Sequence, residues 1–249
     1  KLKAEFPDRK TSKRLLLRVV AFPLLNLKFG LLSGLAYLIA GWIMGTPVQR
    51  ELLAVPGAAT FSDALCMVLR AVLKTPSAFT LIALILVGFF LFTDTHKKVY
   101  RYIAGSVHGL AHLSGMVLVG WPVARFVSRF INPRVESLAG LLIAGAGLFA
   151  GGYLVGSFLM GAYLYVSLRL FRRHANEAFS ALRIPDYKNF LRVHIDEEGN
   201  LTIFPVGVKK VPRKWEPSGT AGKGEPKLVP ARAAKIKAIL IEPPVKVGL

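Results

Sequence analysis

Cysteine and acid are the scarce residues of this chain. One cysteine, Cys66, stands among 249 residues. That excludes an internal disulfide and any metal site built from several thiolates. Asp and Glu number 14 against 33 Lys and Arg, so the formal net charge is +19. No nucleophile–base pair, P-loop or glycine-rich dinucleotide fingerprint occurs. Nucleic-acid-binding motifs are missing as well, so the cationic excess is better matched to phospholipid than to nucleic acid.

Apolar residues, by contrast, are abundant. They make up 53% of the chain, charged residues only 19%, and the mean hydropathy is +0.47. Apolar and basic together read as a membrane protein with cationic flanks. The chain opens on Lys1 rather than Met. This reads as processing, truncation or a position inside a longer protein.

Four stretches are apolar and uncharged: 29–45, 75–93, 103–121 and 138–168. Each meets the length a spanning helix needs, the first at the short end. The second is the clearest, with eleven Leu, Ile, Val or Phe. At about −0.3 to −0.6 kcal/mol each, they favour insertion by roughly 3–7 kcal/mol. The fourth would be about 46 Å long as a helix, more than a ~30 Å hydrocarbon core, so it must tilt, kink or protrude.

Between the first two stretches, Phe61, Leu65, Val68, Leu69 and Val72 recur at helical spacing, with Asp63 near the start. This predicts an amphipathic helix lying on the membrane surface. Residues 1–28 read as a basic interfacial segment. Lys1, Lys3, Arg9, Lys10, Lys13, Arg14 and Arg18 stand in its first eighteen residues, and its apolar run 15–27 is broken by Arg18, Pro23 and Asn26.

An even number of spans puts both termini on one side. That side would also hold Lys97, Lys98, Arg101, Arg169, Arg172 and Arg173. The opposite loops hold Arg50, Arg70, Lys74, Arg125, Arg129 and Arg134. The excess predicts cytoplasmic termini in a bacterial inner membrane. The first set is expected to attract anionic headgroups, each cation worth about 1 kcal/mol near the surface.

After residue 168 the chain changes character. Two β-prone runs, 190–195 and Leu201–Val208, flank Gly199-Asn200 and predict a hairpin. Residues 211–230 are rich in Pro, Gly and Lys and read as extended or mobile. The apolar run 236–247 is broken by Pro243-Pro244. A hairpin alone is marginal in water. The tail is therefore expected to dock on the membrane domain, a partner or a missing domain. The predicted architecture is mainly α and integral to the membrane. About four transmembrane helices, at 29–168, are joined by the interfacial helix and by a cytoplasmic tail, 169–249, with a small hairpin.

Close helix packing in lipid favours small residues. GxxxG spacing occurs at Gly30/Gly34, Gly41/Gly45, Gly105/Gly109, Gly147/Gly151 and Gly152/Gly156. The last span, with Gly147, Gly151, Gly152 and Gly156, is expected to be the central packing helix.

His108 and His112 share one helix face near mid-membrane. A metal site takes three or four ligands, and no other His, Cys or carboxylate lies in the spans. One helix also cannot offer both rings to opposite faces of a haem. The favoured reading is hydrogen bonding between helices, to Ser106, Ser114 or backbone carbonyls. A ligand set completed by a partner is the alternative. Asp94-Thr95-His96 has the Asp-x-His form that opens many two-metal sites, but the other ligands are missing. His174, Glu177, Asp186 and His194 offer N and O ligands at no standard spacing. They read instead as a juxtamembrane cap and a strand face. No metal or cofactor is called for.

Residues 174–196 read HANEAFSALRIPDYKNFLRVHID. With them go GNLTIFPVGV at 199–208, VPRKW at 211–215 and IEPPVKV at 241–247. Together these resemble the C-terminal end of bacterial membrane proteins of the calcineurin-like metallophosphoesterase family. The HGLAH segment at 108–112 resembles their membrane region. The family's metal motifs are Asp-x-His, Gly-Asp-x-x-Asp-Arg, Gly-Asn-His-Glu and Gly-His-x-His. Here only Asp94-Thr95-His96 is present, and Gly199-Asn200 is followed by Leu201. The resemblance therefore implies the membrane-embedded anchoring region of such a protein, with a partner or missing N-terminal domain and no catalytic residue here. The other reading is a non-catalytic subunit of a larger bacterial membrane complex.

Overall fold

A computed structural model describes residues 4–54, 60–93, 97–130, 138–219, 222, 224, 226–231 and 236–247. The helices are α1 (Arg9–Leu16), α2 (Phe22–Leu25), α3 (Leu27–Ala54), α4 (Phe61–Lys74), α5 (Pro76–Phe92), α6 (Lys98–Phe130), α7 (Leu138–Phe171) and α8 (Ala175–Ala181). A 3-10 turn, Leu17–Ala21, joins the first two. The strands are β1 (Lys188–Ile195), β2 (Leu201–Val208), β3 (Trp215–Pro217), β4 (Leu228–Pro230), β5 (Ala238–Leu240) and β6 (Val245–Val247). The chain divides into two compact units, 18–181 and a second formed by 1–17 with 182–249. The basic segment 1–28 is thus shared between them.

In the helical unit, three helices are long and apolar enough to cross a membrane: Leu27–Gly45 within α3, then α6 and α7. The stretch that reads most clearly as a span, 75–93, folds as α5. This helix has 17 residues, started by Pro76 in its first turn and stopped at Thr93. Pro is well placed there because the first turn has no intrahelical use for its missing N–H.

Several boundaries differ from the sequence expectation. α3 continues beyond residue 45 through Pro47 to Ala54. α6 begins at Lys98, so Lys98 and Arg101 lie in its first turn rather than in a loop. It also runs through Pro122 to Phe130, taking Arg125 and Arg129 into the helix. No charge or glycine pair near either proline is strong enough to end a helix whose neighbours support it.

α7 packs against α3 on one side and α6 on the other. Its buried positions are Gly140, Gly152, Gly156, Ser157, Met160, Gly161, Leu164 and Ser167, a small-residue stripe. A Cβ on Gly152 would collide with Tyr37 of α3, and one on Gly156 with Ser33. A Cβ on Gly151 would collide with Val119 of α6, and one on Gly147 would come within 3.0 Å of Val123. The two glycine pairs therefore serve two different neighbours within the chain. From α3, Gly30, Gly34 and Gly41 return the contact against Tyr153, Phe149 and Leu148. Gly105 and Gly109 receive α5, while a Cβ on Gly45 would meet nothing within 4 Å among the described residues. Polar clasps add direction. Ser33 Oγ donates to Gly152 O at 2.9 Å, and Tyr153 OH donates to Pro23 O at 2.7 Å. Below them, Val19 and Phe22 pack on Gly161.

α4 is the expected amphipathic helix, opened by a capping box. The Thr60 side chain accepts from Asp63 N, and the Asp63 carboxylate accepts from Thr60 N. The Thr60 hydroxyl, followed by its backbone N–H, holds the Asp63 carboxyl below the usual aspartate range. Among its described side chains Ala71 and Val72 are buried, while Leu65, Leu69 and Leu73 are exposed. The side chains of Phe61 and Val68 lie outside the described set.

In the second unit the hairpin forms with a full register from Lys188↔Val208 to Ile195↔Leu201. Asp196 closes its tip by accepting from Asn200 N at 2.7 Å, and Gly199 takes φ 83°. That left-handed backbone suits glycine because a Cβ would meet the following carbonyl. The hairpin is not left alone. The far side of β2 pairs antiparallel with β5 and with β6, so the broken run 236–247 completes a four-stranded sheet. Part of 211–230, expected to be extended or mobile, pairs as β3 with β4. Asp186 holds the chain after β2, accepting from Val211 N at 3.0 Å and pairing with Arg213 at 3.0 Å. Phe6 reaches the sheet from the N-terminus, lying edge-on to Tyr187 and against Gly207.

Candidate functional site

Among the described residues, chemistry-bearing side chains of the helical unit concentrate where α5, α6 and α7 meet the turn before α8. His108 and His112 come from α6, Phe89 and Phe92 from α5, Tyr163 from α7, and His174 from the turn before α8. His108 is 2% exposed and His112 is 5%. Their i, i+4 spacing stacks them on one face, ring centroids 5.1 Å apart. Tyr163 lies flat on His108 at 4.0 Å, and Phe89 stacks on His112 at 4.7 Å.

The hydrogen bonds expected from Ser106 or Ser114 are not made. Neither nitrogen of His108, nor Nε2 of His112, has a hydrogen-bond partner among the described residues. Aromatic faces surround the rings instead. An unsatisfied buried polar group costs about 1–3 kcal/mol, so the pair is held here by the rest of the packing. The link to α3 runs through the backbone, where Tyr37 OH donates to His112 O at 3.3 Å.

His174 and Tyr163 were not grouped with these histidines by sequence spacing. The Tyr163 hydroxyl lies 3.1 Å from His174 Nε2 and 3.2 Å from Thr93 Oγ1. The His174 ring stacks parallel to Phe92, and its Nδ1 faces Glu177 Oε1 at 3.6 Å. Two left-handed residues, Arg172 and His174, each at φ 56°, turn the chain back so that the ring reaches this position. Such backbone at a non-glycine residue costs of order 1–3 kcal/mol. One signal was available in sequence, since His174 and Glu177 are spaced to share a helix face. Asp186 and His194, which the sequence gives no standard metal spacing, belong to the second unit. Asp186 is engaged by Val211 and Arg213, and His194 is exposed on β1. Among the described residues no group of three or more His, Cys, Asp or Glu is arranged to hold a metal. Asp94-Thr95-His96 lies outside the described residues.

Of the cations expected to meet headgroups, Lys97, Lys98, Arg169 and Arg172 are exposed and Arg173 is half-buried. Arg101 has a further task. Its Nε donates to Phe90 O at 3.0 Å, satisfying a carbonyl of the last turn of α5.

This chain matches no protein-family model, no curated protein and no solved structure.

Proposed function

We propose that this chain is a four-span membrane anchor carrying a small sheet unit, the membrane-embedded region of a metallophosphoesterase-like protein whose hydrolytic chemistry lies outside these residues. The observation that carries the reading is the interior of the helical unit. Glycines of α7 seat α3 and α6, and aromatic rings enclose the two buried histidines. That is a packed support, not a polar path. The resemblance of 174–247 supplies the family.

In this reading the spans are α3, α5, α6 and α7. The fourth is α5, at about 26 Å shorter than a ~30 Å core and accommodated by local thinning. α4 lies along one interface. Both termini lie on the cytoplasmic side of a bacterial inner membrane. There Lys97, Lys98, Arg169, Arg172 and Arg173 face anionic headgroups.

Two experiments test this. Single cysteines at Ser62, Lys98, Ser128 and Arg169, in a Cys66→Ser background, are labelled with a membrane-impermeant maleimide in spheroplasts. Ser62 and Ser128 positions should label in intact cells, and Lys98 and Arg169 positions only after lysis. Labelling of positions 62 and 98 from the same side would show that α5 does not cross. The family reading is tested by the intact mass of the native protein. A mass well above 27.2 kDa, with upstream peptides bearing Asp, His and Asn metal motifs, supports it. A mass near 27.2 kDa sinks it and leaves the accessory-subunit reading.

A further inference from the structure

The sheet of the second unit has two unlike faces. Side chains alternate along a strand, and paired residues share a face. The register therefore puts Lys188, Arg192, His194, Thr202 and Lys246 on one side, among Phe190, Phe204, Val206 and Val208. Leu191, Val193, Ile195, Leu201, Ile203, Val245 and Val247 fall on the other. Phe6 and Ile241 cover this second, apolar face at its Gly207 end. The rest is open. Leu191 is 66% exposed, Val193 54%, Ile195 64%, Val245 40% and Val247 48%. Five neighbouring aliphatic side chains on one face form a patch that a soluble surface rarely leaves uncovered.

The geometry points to a lipid surface as the cover: the open apolar face of the β1–β2–β6 sheet lies in the headgroup–acyl boundary of an anionic bilayer. Two observations choose lipid over another protein. The unit is tied to a membrane-crossing helix, since only sixteen residues lie between Phe171 at the end of α7 and Lys188 at the start of β1. The bilayer is therefore its nearest large apolar surface, at high effective concentration. The unit carries 19 Lys and Arg against 9 Asp and Glu over residues 1–17 and 182–249. That excess draws the unit toward anionic headgroups, although Arg192 and Lys246 themselves project from the opposite face. The acidic hairpin tip opposes this attraction. One of its three carboxylates, Asp196, is turned back onto Asn200.

This inference rests on the chain being embedded in a bilayer, and the test separates the two. The full chain, with Cys66→Ser, is spin-labelled singly at Leu191→Cys, Arg192→Cys, Val193→Cys and Leu154→Cys. It is reconstituted in vesicles of phosphatidylethanolamine and phosphatidylglycerol. Leu154, exposed on α7, is the control. Oxygen partitions into lipid and a nickel chelate stays in water. Labels at 154, 191 and 193 should collide preferentially with oxygen, and the label at 192 several-fold more with nickel. A nickel-accessible 193 beside an oxygen-accessible 154 overturns the docking face alone. A nickel-accessible 154 overturns the membrane reading itself. Protection of 193 from both relaxers means a protein cover, and dipolar broadening between 193 labels means a second copy. Either result overturns the lipid assignment. In phosphatidylcholine vesicles the oxygen preference at 193 should fall, and an unchanged preference removes the role given to the cations.

Discussion

The two units of this chain close their interiors by opposite means. The helical unit brings backbones together by deleting side chains. Where α7 meets α3, Gly152 and Gly156 leave room for Tyr37 and Ser33, and helix hydrogen bonds satisfy the backbone internally. The sheet unit brings backbones together by pairing them, β2 giving one edge to β1 and the other to β5 and β6. Its half-buried acid, Asp186, is answered by an arginine and a backbone N–H. The helical unit leaves His108 and Ser157 Oγ unanswered among the described residues. Lipid tolerates no unpaired backbone, and close packing with a few polar clasps then orders the side chains. Water permits unpaired edges, so the sheet has to specify its register.

The sharpest way to break this contrast is Gly152→Leu. Its side chain would enter the Tyr37 ring. It should lower stability by about 3 kcal/mol or abolish folded yield, read by thermal unfolding in detergent. Gly145→Ala is the control, since its Cβ would stand an ordinary 3.6 Å from Leu38 and should be near neutral. Equal effects at the two positions would remove the role given to close approach.

A smaller effect is expected in the sheet. Gly199→Ala forces a left-handed alanine at φ 83° and should cost about 1–2 kcal/mol. The loss should show as faster amide exchange across 188–208 and leave α7 unchanged. Spread of the effect into α7 would show that the units do not respond separately.

Tyr163→Phe keeps the stack on His108 and removes the hydroxyl shared with His174 and Thr93. About 1 kcal/mol should be lost, measured as earlier unfolding of the α7–α8 turn. No change would mean that stacking alone holds His174.

The smallest expected effect is a pH response at α4. Asp63 is held below its ordinary range by Thr60. A lowered folded value means its contribution is complete above the unfolded aspartate range and is lost as pH falls through the folded value. The protection of α4 amides relative to their intrinsic exchange should therefore be flat from neutral pH to about pH 5 and fall only in stronger acid. Thr60→Ala should abolish that acid step.

Much of this architecture is legible in the sequence. The apolar run 138–168, the hairpin around Gly199-Asn200 and the cap at Asp63 each rest on local pattern, and each forms. What pattern does not carry is distance along the chain. Nothing in 236–247 says that its two short pieces will complete an edge of β2. Nothing near His108 says that Tyr163 will lie on its ring and bring His174 with it. Local rules also misplace helix ends. Arg125 and Arg129 look like a loop after Pro122, yet α6 continues through them because a proline in a supported helix bends it more readily than it stops it. The expected serine bonds to His108 and His112 fail for a related reason. Side-chain polarity suggests partners, whereas the neighbouring helices supply aromatic faces.

The unequal helices also bear on where the protein can reside. α5 has 17 residues and α7 has 34, about 26 Å and about 51 Å of helix. With α5 as a span, no single upright bilayer fits both. A thin membrane favours α5 and leaves α7 to lean, while a thick one strains α5 and has no compensating gain. Such a chain acts as a caliper, and in a membrane of uneven thickness it should gather in the thinner regions.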